Sequence, residues 1–413
     1  MEFTGYSSFW KAIIRPPRAN YKVKDLGPTE FKVGGVRVVR TDITLTNKRG
    51  QNIVCSHFEP LEGDRQWEEM PCVVYMHGNS SCRLEALECV QYLLPANITL
   101  FCFDFPGCGL SDGEYISLGW YERDDVDCVI NYLRAHRKVS TVGLWGRSMG
   151  SVTALLHGDR DPSIAGMILD SPFSSLKVLV NELAKSHTKV PGFLVSSALA
   201  LIRKSIQSRA NFDIEHLTPI KHVSKSFIPA LFAAANQDDF IQPHHAQELH
   251  DAYAGDKNLI KFDGDHNSGR PGFFHDSAVI FFINTLQVNV MLTEENSMNA
   301  QQREAWKTKM EQRREQQRKK HQEEEAERLR KQKDKNPYDL MGDGIADEII
   351  GAQNSNGQEY VNYPSGFGDS IFSGEEIGGG GMSEAEQLEA AIAASLAELN
   401  VNEGSSSSGQ AQQ

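Results

Sequence analysis

The chain reads as an α/β protein: a mostly parallel sheet with helices on both faces, followed by a polar C-terminal tail. Three observations carry that reading. Apolar runs with the length of buried strands alternate with amphipathic helical stretches from about residue 70 to 290. One of these runs, 142–145, passes through Gly146-Arg147-Ser148-Met149-Gly150 into a helix-forming stretch, 151–157, a strand–turn–helix sequence. Beyond Leu286 the apolar residues thin out and charge takes over.

Residues 1–20 contain Phe3, Tyr6, Phe9, Trp10, Ile13 and Ile14, with Lys11, Arg15 and Arg18 interleaved. The spacing from Tyr6 to Ile14 fits one face of a helix that Pro16-Pro17 ends. Two readings of that face stay open: packing on the core, which the shortness of the helix favours, and peripheral contact with a membrane surface through residues 3–18. No lipidation motif reinforces membrane contact, and no segment approaches the length of a membrane span.

Within 21–290, residues 72–76 read as a strand that runs into His77-Gly78-Asn79-Ser80. Another strand precedes Phe103-Asp104-Phe105-Pro106-Gly107-Cys108-Gly109, and a helix is expected over 120–137. Gly-x-Ser-x-Gly at 146–150 places a serine on a sharp turn, and its glycines are needed where strand and helix press together. A serine hydroxyl is a poor nucleophile near neutral pH and needs a base, which in turn needs an orienting carboxylate. Both candidates follow in order. The apolar run 227–235 leads into Asn236-Gln237-Asp238-Asp239, and the strand 258–262 leads into Asp263-Gly264-Asp265-His266. The candidate catalytic set is therefore Ser148, Asp238 and His266, with Asp239 and Asp170 as alternative orienters. The backbone N–H groups of Met149 and Asn79 are the candidate oxyanion donors.

With these motifs in place, the chain resembles the α/β-hydrolase superfamily, and within it the Bem46-like or serine-aminopeptidase-like intracellular hydrolases, over roughly residues 20–290. The resemblance extends to eukaryotic hydrolases that begin with an Arg-Pro-Pro-Arg segment, here residues 15–18. It implies an eight-stranded, mostly parallel sheet and a Ser-Asp-His triad. Aligning the family's Gly-x-x-Asp-x-x-Val pattern on residues 235–241 selects Asp238, although Ala235 stands where Gly is usual. It also implies that His77 and Asp104 brace loops, and that the insertion at about 174–226 is a short helical lid. Two helical runs in that insertion, 176–186 and 193–206, carry apolar faces suited to an acyl chain or to sealing the core. His244-His245 after Pro243 reads as the first turn of a helix.

No His, Cys, Asp or Glu spacing suggests a metal, and no cofactor is expected. All seven cysteines, from Cys55 to Cys128, fall in the first third of the chain, several within apolar runs, without a Cys-x-x-Cys pair. That pattern, together with an N-terminus that lacks a signal-like apolar segment, points to a reducing, cytoplasmic setting.

The net charge of −13 is uneven. Residues 336–413 hold thirteen Asp and Glu and no Lys or Arg, which leaves 42 acids against 42 bases elsewhere. The segment 291–335, whose part from 301 onward carries thirteen bases and eight acids, reads as a solvated helix without coiled-coil heptads; nucleic acid is not an expected partner. Residues 336–382 read as an acidic disordered linker and 401–413 as a disordered end. Between them, 383–400 forms a capped helical pattern, with Ser383 and Glu386 as its capping box. It resembles a ubiquitin-interacting motif: acidic at Glu386, apolar at Leu388 and Ile392, small at Ala391, with Ser395 four positions on and an acid at Glu398. The resemblance implies ubiquitin or a ubiquitylated protein as a partner. The chain as a whole is expected to be a serine hydrolase acting on an acyl ester or thioester, a peptidase being less favoured. The competing reading is a non-catalytic ubiquitin-binding adaptor on a hydrolase scaffold.

Overall fold

The computed structural model describes residues 10–297 apart from 12, 137 and 188–191, together with 305, 308, 312, 319, 361 and 362. The expected ubiquitin-binding helix, the end segment 401–413, almost all of the linker and most of the charged segment lie outside these residues, as do Phe3, Tyr6 and Phe9.

The strands are β1 (Glu30–Val33), β2 (Val36–Thr46), β3 (Asn52–Pro60), β4 (Met70–Met76), β5 (Thr99–Phe103), β6 (Val139–Arg147), β7 (Gly166–Asp170), β8 (Ala230–Ala235), β9 (Lys257–Phe262) and β10 (Val361–Asn362). They form one sheet in the order β10-β1-β2-β3-β5-β4-β6-β7-β8-β9. β4 through β9 run parallel; the pairs β1–β2, β2–β3 and β3–β5 are antiparallel, and β10 joins β1 in parallel. The eight strands from β2 to β9 match the expected number. Two more extend one edge: β1, hairpinned onto β2, and β10, which pairs with Phe31 and Lys32 from within the segment read as linker. β8 starts at Ala230, three residues later than its apolar run suggests, and Phe227 is 75% exposed.

The central strands are buried on both faces, which is why they read as continuous apolar runs rather than alternating ones. The two-residue period is still visible in packing. Cys72, Val74 and Met76 of β4 and Phe232 of β8 enter one core; Val73 and Tyr75 of β4 and Leu231 and Ala233 of β8 enter the other. The first core is roofed by α2 (Glu122–His136), α3 (Met149–Gly158) and α6 (Pro243–Ala252). The second is covered by α1 (Leu87–Leu93), α7 (Gly272–Thr285) and α8 (Val288–Ser297). Packing continues past Leu286, because Val288 is buried and Met291 and Leu292 lie against the second core. The lid consists of α4 (Leu176–His187), α5 (Gly192–Ala210) and short 3-10 turns up to Lys225.

Trp10, Ile13 and Ile14 are buried in the first core. Arg15 pairs with Glu114, and Arg18 donates to the carbonyls of Ser111 and Gly113, which fixes the entering chain across the domain. Among the described residues no helix is long and apolar enough to cross a membrane. None of the seven cysteines is in a disulfide; six are buried, and burial pushes the Cys72 and Cys102 thiols up to about 12.

Candidate active site

The chain leaves β4 in one direction to make β5 and returns across β4 to make β6, so the loops after β4 and β6 diverge at a topological switch point. Such a crevice at the carboxyl ends of parallel strands is where open α/β sheets bind ligands. Ser148 follows β6 there, with φ 50° and ψ −114°, a conformation that L-residues rarely adopt. The flanking glycines make the turn sterically feasible. A Cβ on Gly146 would lie 2.3 Å from the Gly150 carbonyl group, and one on Gly150 would lie 2.0 Å from the Met76 carbonyl oxygen.

The structure brings Ser148, His266 and Asp238 together from the ends of β6, β9 and β8. His266 Nδ1 is 2.7 Å from Asp238 Oδ2, and His266 Nε2 is 3.2 Å from Ser148 Oγ. A carboxylate only accepts, so Nδ1 carries the proton and the Nε2 lone pair faces the serine hydroxyl. The other Asp238 oxygen accepts from the backbone N–H groups of Phe240 and Ile241, at 3.1 and 2.7 Å, which fixes the carboxylate plane. The Phe240 ring meets His266 edge to face at 5.0 Å. All three residues are 3–4% exposed.

The alternative orienters are placed elsewhere. Asp239 is exposed. Asp170 ends β7 but is held by Arg270 through two bonds, Nε to Oδ2 at 2.7 Å and Nη2 to Oδ1 at 3.0 Å. Burial alone would raise the Asp170 pKa, but the Arg270 guanidinium outweighs it and the carboxyl stays below its ordinary range.

Sequence reading missed two arginines that hold the histidine loop. Arg147 Nη2 donates to the His266 carbonyl at 3.0 Å, and Arg270 Nη2 reaches the same oxygen at 3.4 Å. Arg147 occupies a variable position of the Gly-x-Ser-x-Gly motif, so the pattern assigns it nothing. Burial opposes its charge, yet Glu85 and Asp170 more than offset this and raise its pKa above the usual arginine value.

His77, Asp104 and Glu85 build the loop opposite. His77 Nδ1 donates to the Gly78 carbonyl at 2.6 Å, while its Nε2 accepts from the Phe105 N–H at 3.0 Å. Asp104 accepts from Tyr21 Oη and from the backbone of Arg83 and Leu110, each at 2.7 Å. Buried Glu85 accepts from Gly78 N–H at 3.1 Å and from Tyr75 Oη at 2.9 Å. A Cβ on Gly78 would stand 3.7 Å from Ser148 Cβ, so the loop carrying Asn79 directly abuts the serine. Met149 is the first residue of α3, where an N–H has no intrahelical acceptor. Asn79, Ser148 and Met149 line one small cavity of about 30 Å³ with apolar walls that include Leu176 and Leu179 of the lid and Ile13 of the N-terminal segment. The lid holds a second, larger cavity of about 140 Å³; Leu176 and Val180 line both.

The family described as "Serine aminopeptidase, S33" matches residues 68–261, a span that contains Ser148 and Asp238 and stops just short of His266. Over 200 residues the chain is 26% identical to the protein YqkD of Bacillus subtilis, covering 47% of this chain and 64% of that one. Over 220 residues it is 27% identical to YfhR of Escherichia coli K12, covering 51% of this chain and 69% of that one. Among solved structures it is similar to the Pyrococcus furiosus esterase Pf2001, with a TM-score of 0.48 and 20% identity over 65% of this chain and 98% of that chain. The strand order, the switch-point crevice and the family match together give the chain the α/β-hydrolase fold and support a hydrolase of that type.

Proposed function

We propose that the protein is a serine hydrolase that cleaves an acyl ester or thioester through Ser148, His266 and Asp238. His266 Nε2 takes the hydroxyl proton as Ser148 Oγ attacks the acyl carbonyl carbon. Asp238 holds the ring in the required tautomer and stabilises the imidazolium that forms. The Met149 and Asn79 N–H groups receive the negative oxygen of the tetrahedral intermediate. His266 then returns its proton to the departing alcohol or thiol, and water releases the acyl group from Ser148 by the same steps. The observation that carries this reading is the hydrogen-bonded chain of 2.7 and 3.2 Å through three buried side chains.

The substrate class rests on the cavity walls. The apolar walls of the cavity beside Ser148 suit an acyl group, and the lid cavity of about 140 Å³ beyond Leu176 and Val180 offers room for its chain. The test is labelling of the full-length protein with a fluorophosphonate probe. Wild type is expected to label and Ser148→Ala to lose all labelling. Labelling that persists in the variant places the nucleophile elsewhere, and a wild type that never labels favours the adaptor reading.

The tail contributes a second activity. Residues 384–398 are proposed to bind ubiquitin as a helix, Ala391 allowing close approach to a flat apolar patch and Ser395 bonding its backbone. The support is the sequence pattern, within a segment otherwise too polar to fold alone. Retention on immobilised ubiquitin should be lost in Ala391→Gly/Ser395→Ala; equal retention removes the assignment.

A further inference from the structure

Glu182 of the lid and the histidine pair that opens α6 converge outside the candidate active site. His244 Nε2 lies 3.0 Å from Glu182 Oε1, and His245 Nε2 lies 2.9 Å from Glu182 Oε2. The two imidazole rings are adjacent, with centroids 4.3 Å apart. One donor atom from each of the three residues falls within 4.8 Å of the other two, and no other trio of His, Cys, Asp or Glu gathers so closely among the described residues.

The far side of each ring is already engaged. His244 Nδ1 faces Glu248 Oε1 at 3.3 Å and donates to it. His245 Nδ1 accepts from the Ser174 N–H at 3.3 Å and lies 2.8 Å from Ser174 Oγ, which also reaches Glu248 Oε2 at 3.0 Å. A carboxylate only accepts, so in the metal-free protein the Nε2–H groups of both rings donate to Glu182. A metal ion would replace those Nε2 protons, with the Nε2 lone pairs and a carboxylate oxygen turned toward it. Proton and metal therefore compete for one place.

We propose that Glu182, His244 and His245 bind a divalent transition metal of the zinc class and thereby pin lid helix α4 to α6. Two imidazoles and one carboxylate are a donor set that zinc accepts, with a fourth position left for water. Zinc–ligand bonds of about 2.0–2.1 Å in a tetrahedron put neighbouring donors about 3.3 Å apart, and the three donors, within 4.8 Å of one another, need only small side-chain rotations to reach that spacing. Glu248 and Ser174 act as the outer partners that fix the imidazoles, a usual feature of metal-bound histidine. Solvent reaches the site, because the His244 side chain is 39% exposed. The site stands independently of the serine chemistry. It lies on the same helix as Leu176, Leu179 and Val180, which wall the Ser148 cavity, so a bound metal would stiffen that wall.

The experiment uses full-length protein stripped of metal with a chelator and titrated with Zn2+ by calorimetry near neutral pH, with Co2+ absorption as an independent reading of the ligands. Wild type is expected to bind one ion tightly. Glu182→Gln and His244→Ala, both at partly exposed positions that should fold, are each expected to weaken that site by at least about tenfold. Circular dichroism of each variant checks the fold. The proposal is overturned if wild type binds no Zn2+, or if either variant binds as wild type does.

Discussion

Asp238 spends both of its oxygens on order, one on His266 and the other on two backbone N–H groups. Asp238→Asn keeps the size and lets the amide face His266 with a donor, which favours the wrong tautomer. Its kcat on an activated ester is expected to fall by about 10⁴-fold with little change in KM. A small loss would instead mean that the imidazole is oriented by its surroundings, Phe240 and the two arginines among them. The residue scale is also where sequence was weakest. Asp238, Asp239 and Asp170 each follow or end an apolar run, and composition does not separate them. Only the partners do: Asp170 is committed to Arg270, a pair whose disruption would leave a buried charge and cost about 3–5 kcal/mol.

At the scale of elements, the turn from β6 into α3 depends on the absence of two Cβ atoms. Gly150→Ala would place a methyl group 2.0 Å from the Met76 carbonyl oxygen, a backbone atom of a central strand that cannot move aside alone. The variant is expected to lose about 3 kcal/mol or more in urea unfolding and to lose probe labelling with it. This turn was fully legible in sequence, because its steric demand is local. The contact between α3 and α2 supplies a pH-dependent element. His157 is buried on α3 with Asp127 Oδ1 at 3.3 Å and Asp161 Oδ2 at 3.7 Å. Burial alone would lower its pKa, but the two carboxylates outweigh burial and raise it above the ordinary 6.5. A raised histidine pKa adds stability that is complete below pH 6.5 and is lost as pH rises through the folded-state value. Urea midpoints should therefore drop as pH increases above 6.5, and His157→Gln should flatten that slope. An unchanged slope would assign the effect to another group.

Across the whole molecule, the two proposed activities draw on the chain in very different ways. The proposed hydrolytic site is assembled from β4, β6, β8 and β9, and every part of it depends on the sheet. The proposed ubiquitin-binding residues lie within fifteen consecutive positions, far from the sheet in sequence and carried in an acidic segment with no Lys or Arg. Independent attachment predicts independent loss. Ser148→Ala should be retained on ubiquitin as wild type is, while Ala391→Gly/Ser395→Ala should label with the probe at the wild-type rate. If either variant loses both activities, the tail and the hydrolase domain act as one unit.

The sequence by itself determined what neighbours in the chain can dictate: the apolar runs of the central strands, the glycine turn that raises Ser148, and the order of serine, acid and histidine along the chain. Tertiary structure alone decided what depends on distant segments meeting. It chose Asp238 over Asp170 by giving Asp170 to Arg270, tied the His266 loop to Arg147, brought Ile13 to the wall of the serine cavity, and set Glu182 against His244 and His245 from 62 and 63 positions away. The physical reason is that a strand or a tight turn is fixed by sterics and hydrophobicity over a few residues. The partner of a buried charge is fixed by whichever element the sheet order brings alongside.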